Sequence, residues 1–107
     1  MSKILTLIGC MLLTAFVHAQ RISGFVKDEK GKAIASASIT LQQAKDSVIV
    51  KLSVTDKEGN FIYNNISAGK YFVSVVAVGY QKQTSAVFEL GTIDFIVPAF
   101  SLQKAVK

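Results

Sequence analysis

Residues 55–71, TDKEGNFIYNNISAGKY, decide the fold that the sequence predicts. Asp56 and Gly59 stand at the first and last positions of a type I turn, where these two residue types are preferred. Asp accepts hydrogen bonds from backbone groups just after it, and Gly adopts a positive φ without steric cost. Phe61 and Tyr63 follow two residues apart, as side chains on one face of a strand do. The segment therefore predicts a tight turn, a short strand, a polar elbow and the start of a longer strand.

The same turn chemistry occurs earlier in the chain. Residues 26–31 and 54–59 share the pattern Val-x-Asp-x-x-Gly, with the aspartates at Asp28 and Asp56. Two copies of one turn in a small chain favour antiparallel β topology rather than an internal domain repeat.

Alternating apolar and polar residues predict further strands. The apolar residues expected to share one face in each strand are Ile22 and Val26; Ile39 and Leu41; Val48, Val50, Leu52 and Val54; and Tyr71, Val73 and Val75. Segment 48–54 is predicted to be half-buried, and segment 71–78 is the strongest strand, with its Tyr71 face in the core. Its other face, with Phe72 and Val76, is expected to be partly covered or to form a contact surface.

Weaker strands are predicted at 81–90 and 92–97, with Pro98 marking an end or an edge. Helical periodicity is not sustained anywhere after the first residues of the chain. About seven short strands, with turn signals every 8–12 residues or so, are typical of an all-β sandwich.

The first 19 residues have the features of a signal peptide and are set apart from the fold. Lys3 supplies the positive start, residues 4–17 are almost all apolar, and Val17 and Ala19 are small residues at the positions that a signal peptidase reads. The apolar run is too short for a transmembrane helix, which needs about 20 residues. We expect a helical signal peptide, cleavage after Ala19 and export. The alternative is a bacterial lipobox ending at Cys10, although the apolar run continues past that cysteine.

Cleavage would leave 88 residues, enough for one small domain at 20–102 and a tail or linker start at 103–107. It would also remove Cys10 and His18, the only cysteine and histidine of the chain. Their loss excludes disulfides, Cys–His and Ser–His–Asp catalysis, and histidine-ligated zinc. The net charge would fall from +5 to +4, and the lysines are scattered singly, which argues against a nucleic-acid site.

Seven carboxylates remain as candidates for acid–base chemistry or metal binding: Asp28, Glu29, Asp46, Asp56, Glu58, Glu89 and Asp94. Most flank or occupy predicted turns, where solvated or capping carboxylates are usual. The group Asp56, Glu58 and Asn60 could suggest a calcium loop. However, Lys57 lies inside it, and the further oxygen ligands and distal Glu of such a loop are missing. We therefore predict no catalytic, cofactor-binding or metal-binding residues, no cofactor and no enzymatic activity.

Three segments together resemble the carboxypeptidase regulatory-like domain. They are ISGFVKDEKGKAIASASITL at 22–41, VTDKEGNF at 54–61 and ISAGKYFVSVVAVGY at 66–80. The resemblance spans about residues 21–102, although Ala35 stands where the family often carries a proline-containing turn. It implies a seven-stranded antiparallel Greek-key β-sandwich of the transthyretin-like type, without enzymatic activity.

Two further segments, AKDSVIVKLSVTD at 44–56 and FELGTIDF at 88–95, resemble the version that precedes outer-membrane β-barrel receptors of Bacteroidetes-type bacteria. That resemblance implies an accessory module, periplasmic or outer-membrane associated, in front of the plug and barrel of a TonB-dependent receptor, or a fragment of one. The expected partners are the plug and barrel or another periplasmic protein, with membrane contact only through a linked barrel.

Two other hypotheses stay open. Tyr63, Tyr71 and Tyr80 could stack on sugar rings in a carbohydrate- or small-ligand-binding module, which two or more coplanar tyrosines on one face would favour. A transthyretin-like homo-oligomer could instead form through the outer face that carries Phe72 and Val76.

Overall fold

The computed structural model describes residues 20–105, so the predicted signal peptide and its helix lie outside the described residues. Nine strands are described: β1 (Gln20–Asp28), β2 (Ser38–Gln43), β3 (Ile49–Val54), β4 (Asn60–Ile66), β5 (Gly69–Val76), β6 (Gln83–Thr84), β7 (Phe88–Leu90), β8 (Phe95–Ile96) and β9 (Phe100–Leu102). The described part of the chain is therefore all-β, as predicted. Among residues 20–105, no helix capable of crossing a membrane is found.

The strands form two sheets, which we name the β1 sheet and the β5 sheet after their central strands. In the β1 sheet, β4 pairs with one side of β1, and β8 and β9 share the other side. In the β5 sheet, the order is β3-β2-β5, and β6 and β7 share the far side of β5. Each sheet thus has one continuous edge, β3 or β4, and one edge that is broken into two short strands.

The broken edges differ from the predicted pattern in two ways. Three short strands, β6, β7 and β8, occupy segments 81–90 and 92–97, where two strands were predicted, and β9 follows beyond them. Pro98, which lacks the N–H that a ladder needs, lies between β8 and β9. In addition, β8 and β9 run parallel to β1, so the prediction of a wholly antiparallel sandwich is wrong. The chain crosses from one sheet to the other between β7 and β8, and a crossover, unlike a hairpin, permits parallel pairing.

The core lies between the two sheets and follows the alternation predicted for β1, β2 and β5. The predicted core side chains Ile22, Val26, Ile39, Leu41, Tyr71, Val73 and Val75 are all buried, and β4 adds Phe61, Tyr63 and Ile66. Gly24 faces Phe61 so closely that an added Cβ would lie 2.3 Å from the phenyl ring. This glycine therefore leaves the space that a large aromatic side chain fills, and each such burial stabilises the fold by about 1.5–3 kcal/mol.

β3 does not follow the prediction. The four side chains expected to lie on its half-buried face are exposed: Val48 by 53 %, Val50 by 37 %, Leu52 by 71 % and Val54 by 61 %. Lys51 and Ser53 face the inside instead, because they lie opposite buried residues of β2. From Lys51 to Val54 the predicted alternation is present with the opposite orientation, since a two-residue period does not say which face meets the core. Before Lys51 the alternation is interrupted, because the pairing with β2 shifts register and Ile49 lies opposite Gln42.

Two buried hydroxyl groups connect separate parts of the sandwich. The Tyr63 hydroxyl donates to the Ile39 carbonyl of the other sheet at 2.7 Å, and burial raises the pKa of Tyr63 well above its usual value. Thr55 accepts from the Ala37 N–H at 2.9 Å and donates to the Ile34 carbonyl at 2.8 Å. Across residues 20–105, no buried side-chain polar atom lacks a hydrogen-bond partner.

Aromatic stacking connects the broken edges of the two sheets. Phe88 of β7 and Phe95 of β8 lie parallel, with ring centroids 4.4 Å apart and an interplanar angle of 6°. At one end of the sandwich, the segment predicted as a tail is bonded to the domain, because the Ala105 N–H donates to the Gly79 carbonyl at 3.0 Å. The ordered contacts of the domain therefore reach Ala105.

Candidate interaction surface

β3 carries more exposed apolar side chains than any other described strand, and Thr55 explains why they point outward. Its buried hydroxyl holds the loop before β2 through hydrogen bonds to Ile34 and Ala37. Because successive side chains alternate, Ser53 follows Thr55 inward and Val54 is turned outward. Thr55 is thus in phase with the inward Ser53 and Lys51, on the part of β3 that follows the register shift in its pairing with β2.

The outer side of β3 also offers unpaired backbone groups. The Thr55 N–H donates to the Ala37 carbonyl at 3.0 Å, which places Thr55 among the residues that face β2. Residues of an antiparallel strand alternate between facing the neighbour and facing away. Leu52 and Val54 therefore direct their N–H and C=O groups toward the open edge, where a further strand could pair.

The β3 edge lies beside the β4 edge of the other sheet. Lys51 Nζ donates to the Asn64 carbonyl at 3.0 Å, and Ser53 Oγ donates to the Ile62 carbonyl at 3.4 Å. These two side chains of the β5 sheet therefore donate hydrogen bonds to carbonyl groups of β4 in the β1 sheet. An inward-pointing lysine protects a sheet edge against pairing with another strand. Lys51 protects the edge of β4, because it donates to a carbonyl group there. The outward backbone groups of β3 itself remain unpaired.

A shallow depression of about 560 Å³ borders this edge on the outer face of the β1 sheet. Ser23 forms its floor between Ile62 and Ile96, since it pairs with both across the sheet. Val54 of β3 lines the same depression. The apolar surface of β3 is therefore continuous with an apolar hollow on the neighbouring sheet.

The two predicted turns have the same hydrogen-bond geometry. Asp28 Oδ1 accepts from the N–H groups of Lys30 and Lys32 at 2.8 and 2.9 Å. Asp56 Oδ1 accepts from Glu58 and Asn60 at 3.0 and 2.9 Å. Backbone donors converge on each carboxylate, which is the reverse of the oxygen cluster that a calcium ion requires.

The charge on Asp28 is stabilised by these contacts. The Lys32 N–H, with smaller contributions from the Lys30 N–H and the two ammonium groups, lowers the pKa of the Asp28 carboxyl below its usual value, although burial opposes this effect. Such a carboxylate is held ionised as a turn cap and is unsuited to act as a general base near neutral pH.

Two of the other candidate carboxylates also accept hydrogen bonds from backbone N–H groups. Asp46 accepts from the Val48 N–H at 3.1 Å, and Asp94 accepts from the Arg21 N–H at 2.9 Å. Within residues 20–105, no group of three or more His, Cys, Asp or Glu side chains could hold a metal ion.

The tyrosines do not form a platform for sugar rings. Tyr63 and Tyr71 are buried in the core, where the Tyr71 hydroxyl donates to the Ser67 carbonyl at 2.7 Å. Tyr80 is half-buried at the end of the sandwich. Two coplanar exposed tyrosines, the arrangement that would favour carbohydrate binding, are therefore not found among the three.

Sequence reasoning missed the β3 edge as a candidate surface. Its apolar alternation is the signal of a half-buried strand, and the sequence contains no separate mark of an outward orientation. The available clue was Thr55, a polar residue in phase with Ser53 and Lys51 and adjacent to the turn. That clue becomes decisive only when the partners of its hydroxyl are known.

Comparison with known proteins identifies the domain type. The sequence profile of the carboxypeptidase regulatory-like domain matches residues 21–101. Carboxypeptidase D of Homo sapiens is 35% identical over 78 residues, which make up 72% of this chain and 5% of that protein. The chain therefore spans only a small part of the curated relatives that it matches.

Solved structures show the same fold at lower sequence identity. The Bacillus anthracis TIE protein superposes with a TM-score of 0.68 at 19% identity, covering 82% of this chain and 18% of that one. Catechol 1,2-dioxygenase from Acinetobacter sp. ADP1 superposes with a TM-score of 0.63 at 12% identity, covering 85% of this chain and 54% of that one. Proteins with different names thus share this β-sandwich, and the likeness concerns the fold alone.

Proposed function

This chain belongs to the carboxypeptidase regulatory-like domain family, and from that premise we propose that it is a non-catalytic accessory module. We further propose that it is exported to the periplasm as the N-terminal extension, or a fragment, of a TonB-dependent outer-membrane receptor. The observation that carries the proposal is the family match over residues 21–101, which covers nearly the whole described sandwich.

The chemistry of the described residues supports a non-catalytic role. Asp28 and Asp56 are used as turn caps, and the polar groups of the interior are consumed by structural hydrogen bonds such as that of Thr55. An active site would require titratable groups that converge in a hollow. The depression beside β3 is lined mainly by apolar and small side chains, which suit contact with another polypeptide better than chemistry.

Export and the receptor link rest on sequence features. The apolar run that ends before Ala19 has the length and flanks of a secretory signal. Segments 44–56 and 88–95 resemble the receptor-linked version of the domain.

Export is tested by expressing the chain with its own leader in a Gram-negative host and measuring the intact mass of the periplasmic protein. We expect a polypeptide that begins at Gln20. An Ala19→Arg variant should retain the leader, since the peptidase requires a small residue there. Cytoplasmic protein that keeps residues 1–19 would contradict export, and a lipid adduct that is absent in Cys10→Ser would replace cleavage after Ala19 with lipidation.

The receptor link is tested by reading the coding sequence immediately downstream. Plug and barrel sequences that follow directly, or after a frameshift, are the expected result. An intact gene for a free-standing domain, with the protein in the soluble periplasmic fraction, would contradict the receptor link and leave the accessory role in place.

A further inference from the structure

We propose that β3 is a self-association edge, along which two copies of this chain pair antiparallel and join their β5 sheets into one continuous sheet. The proposal starts from the outward N–H and C=O groups of Leu52 and Val54, which a second strand can satisfy without disturbing the pairing of β3 with β2. It does not depend on the link to a receptor.

The sequence of β3 is compatible with pairing against itself. Pairing that uses the outward groups of Leu52 and Val54 can be centred on Leu52 or on Ser53. Lys51 then lies opposite Ser53 or Thr55 of the second copy, so the ammonium groups of the two copies do not meet. Like charges placed directly opposite would destabilise the pair, and these two registers avoid them.

The apolar rows of the two copies would also join. Leu52 and Val54 lie on the outer face of the β5 sheet, and Val76 lies in the same row as Val54, because both pair with Ser38. With Leu52 or Ser53 at the centre, Leu52 meets Leu52 or Val54 of the second copy. Directly opposite apolar side chains of this kind contact each other across an antiparallel pair and stabilise it.

The exposed area is sufficient to require an explanation. Leu52, Val54, Val76 and Ile62 are each at least 46 % exposed, and together with the start of β3 they form an apolar patch around one edge. Patches of more than a few hundred Å² are uncommon on monomers, and a stable interface buries roughly 800 Å² per partner. Strand pairing at β3 would bring the exposed Leu52 and Val54 side chains of the two copies into contact.

A second copy fits this edge better than an unrelated extended peptide. The Lys51 ammonium is already engaged by the Asn64 carbonyl, so the nearest positive charge on this edge is not free to select an acidic peptide. A copy of β3 brings the same outward apolar residues and the same inward polar residues as the strand that it meets. Such self-complementarity is the defining property of a two-fold symmetric interface.

The test is the mass of the purified protein by light scattering across a range of concentrations, together with amide hydrogen exchange. We expect a monomer–dimer equilibrium, with protection of the Leu52 and Val54 amides rising about tenfold from the lowest to the highest concentration, since paired amides exchange only on opening. The Ser53 amide, which faces β2, should not change. A monomer at all concentrations would overturn the proposal, as would a dimer whose Leu52 and Val54 amides stay unprotected.

Two variants separate edge pairing from other contacts. Leu52→Pro removes an N–H that faces the open edge and spares the ladder to β2, so it should abolish the dimer while the monomer stays folded. Leu52→Glu should weaken the dimer by at least about tenfold, because in either register a carboxylate would replace the apolar side chain that meets Leu52 or Val54 of the second copy. Val87→Glu, an equally drastic change at an exposed position on the opposite edge of the sheet, is the matched control. A dimer that survives both Leu52 variants would contradict edge pairing, as would an equal loss of dimer in Val87→Glu. A mass that fits only a complex with another polypeptide would show that this polypeptide, and not a second copy, occupies the edge.

Discussion

The turns at Asp28 and Asp56 have the same sequence pattern and the same hydrogen bonds but opposite relations to the core. At the first turn, Val26 is buried and Lys27 lies outside; at the second, Val54 is exposed and Thr55 is buried. The first turn reverses the chain at the surface. The second joins β3 to β4 across two sheets and rests on β1. Local turn chemistry therefore fixes the shape of the reversal and leaves its orientation to the surroundings.

Substitution of the glycines should reveal the largest difference in stability between the two turns. Gly31 and Gly59 both have a positive φ, of 84° and 79°, which costs a residue with a side chain about 1–2 kcal/mol. A Cβ at Gly31 would meet nothing within 4 Å, whereas at Gly59 it would lie 2.5 Å from the Val26 carbonyl oxygen. Urea unfolding should show a loss of about 1 kcal/mol for Gly31→Ala and at least about 3 kcal/mol for Gly59→Ala. Equal losses would mean that the second turn does not press on β1.

The second largest difference in stability is expected for substitution of the valines two residues before the aspartates. Val26→Thr places a hydroxyl in the core and should cost about 2 kcal/mol, because a buried donor without a partner loses its hydration. Val54→Thr exposes the same group to solvent and should change the free energy of unfolding by less than about 0.5 kcal/mol. A large effect at Val54 in the monomer would show that β3 lies with its apolar face inward, and would also remove the basis for edge pairing.

Thr55 should be the third test. Thr55→Val keeps the shape of the side chain but leaves the Ala37 N–H and the Ile34 carbonyl without their hydroxyl partner, so it should destabilise the domain by about 1.5 kcal/mol. Lys27→Val, the equivalent position of the first turn, should change the free energy of unfolding by about 0.5 kcal/mol or less. If the two changes have the same effect, Thr55 does not anchor the orientation of β3.

The smallest effect concerns the charge of Asp28. Its pKa is lowered from 3.8 in the folded state, so the unfolded chain binds the proton more tightly. The resulting stability is fully present above the unfolded pKa of about 4 and is lost as the pH falls through the lower folded pKa. Asp28→Asn should reduce the slope of unfolding free energy against pH in this acid range and leave the chain folded at neutral pH. An unchanged slope would show that the ionised Asp28 does not stabilise the first turn.

The strands with alternating patterns and the turns were predictable from local chemistry. Ile22, Leu41 and Val73 were placed correctly in the core by the two-residue alternation of apolar side chains in their strands. The orientation of β3 was not predictable, since Thr55 and Leu52 each fit an inner or an outer face until their neighbours are known. The parallel pairing of β8 and β9 with β1 also depends on contacts between residues distant in sequence.

The candidate surface was also predictable only in part. The roles of Asp28 and Asp56 as turn residues were predicted, because the geometry of an Asp-x-x-Gly turn is local. The exposed edge was not, because an apolar strand that pairs with another chain has the same composition as one that packs in its own core. Only the positions of β2 and β4 distinguish the two.

The parallel pairing of β1 and β9 has a mechanical consequence. The described chain enters at the start of β1 and leaves after the end of β9, and the two strands run in the same direction. A pull between these ends would act along the strands and load the hydrogen bonds between Val26–Asp28 and Phe100–Leu102 together, in shear, instead of one at a time. Rupture under such a load depends on the unfolding barrier rather than on equilibrium stability. A domain pulled in this direction would transmit tension before it yields.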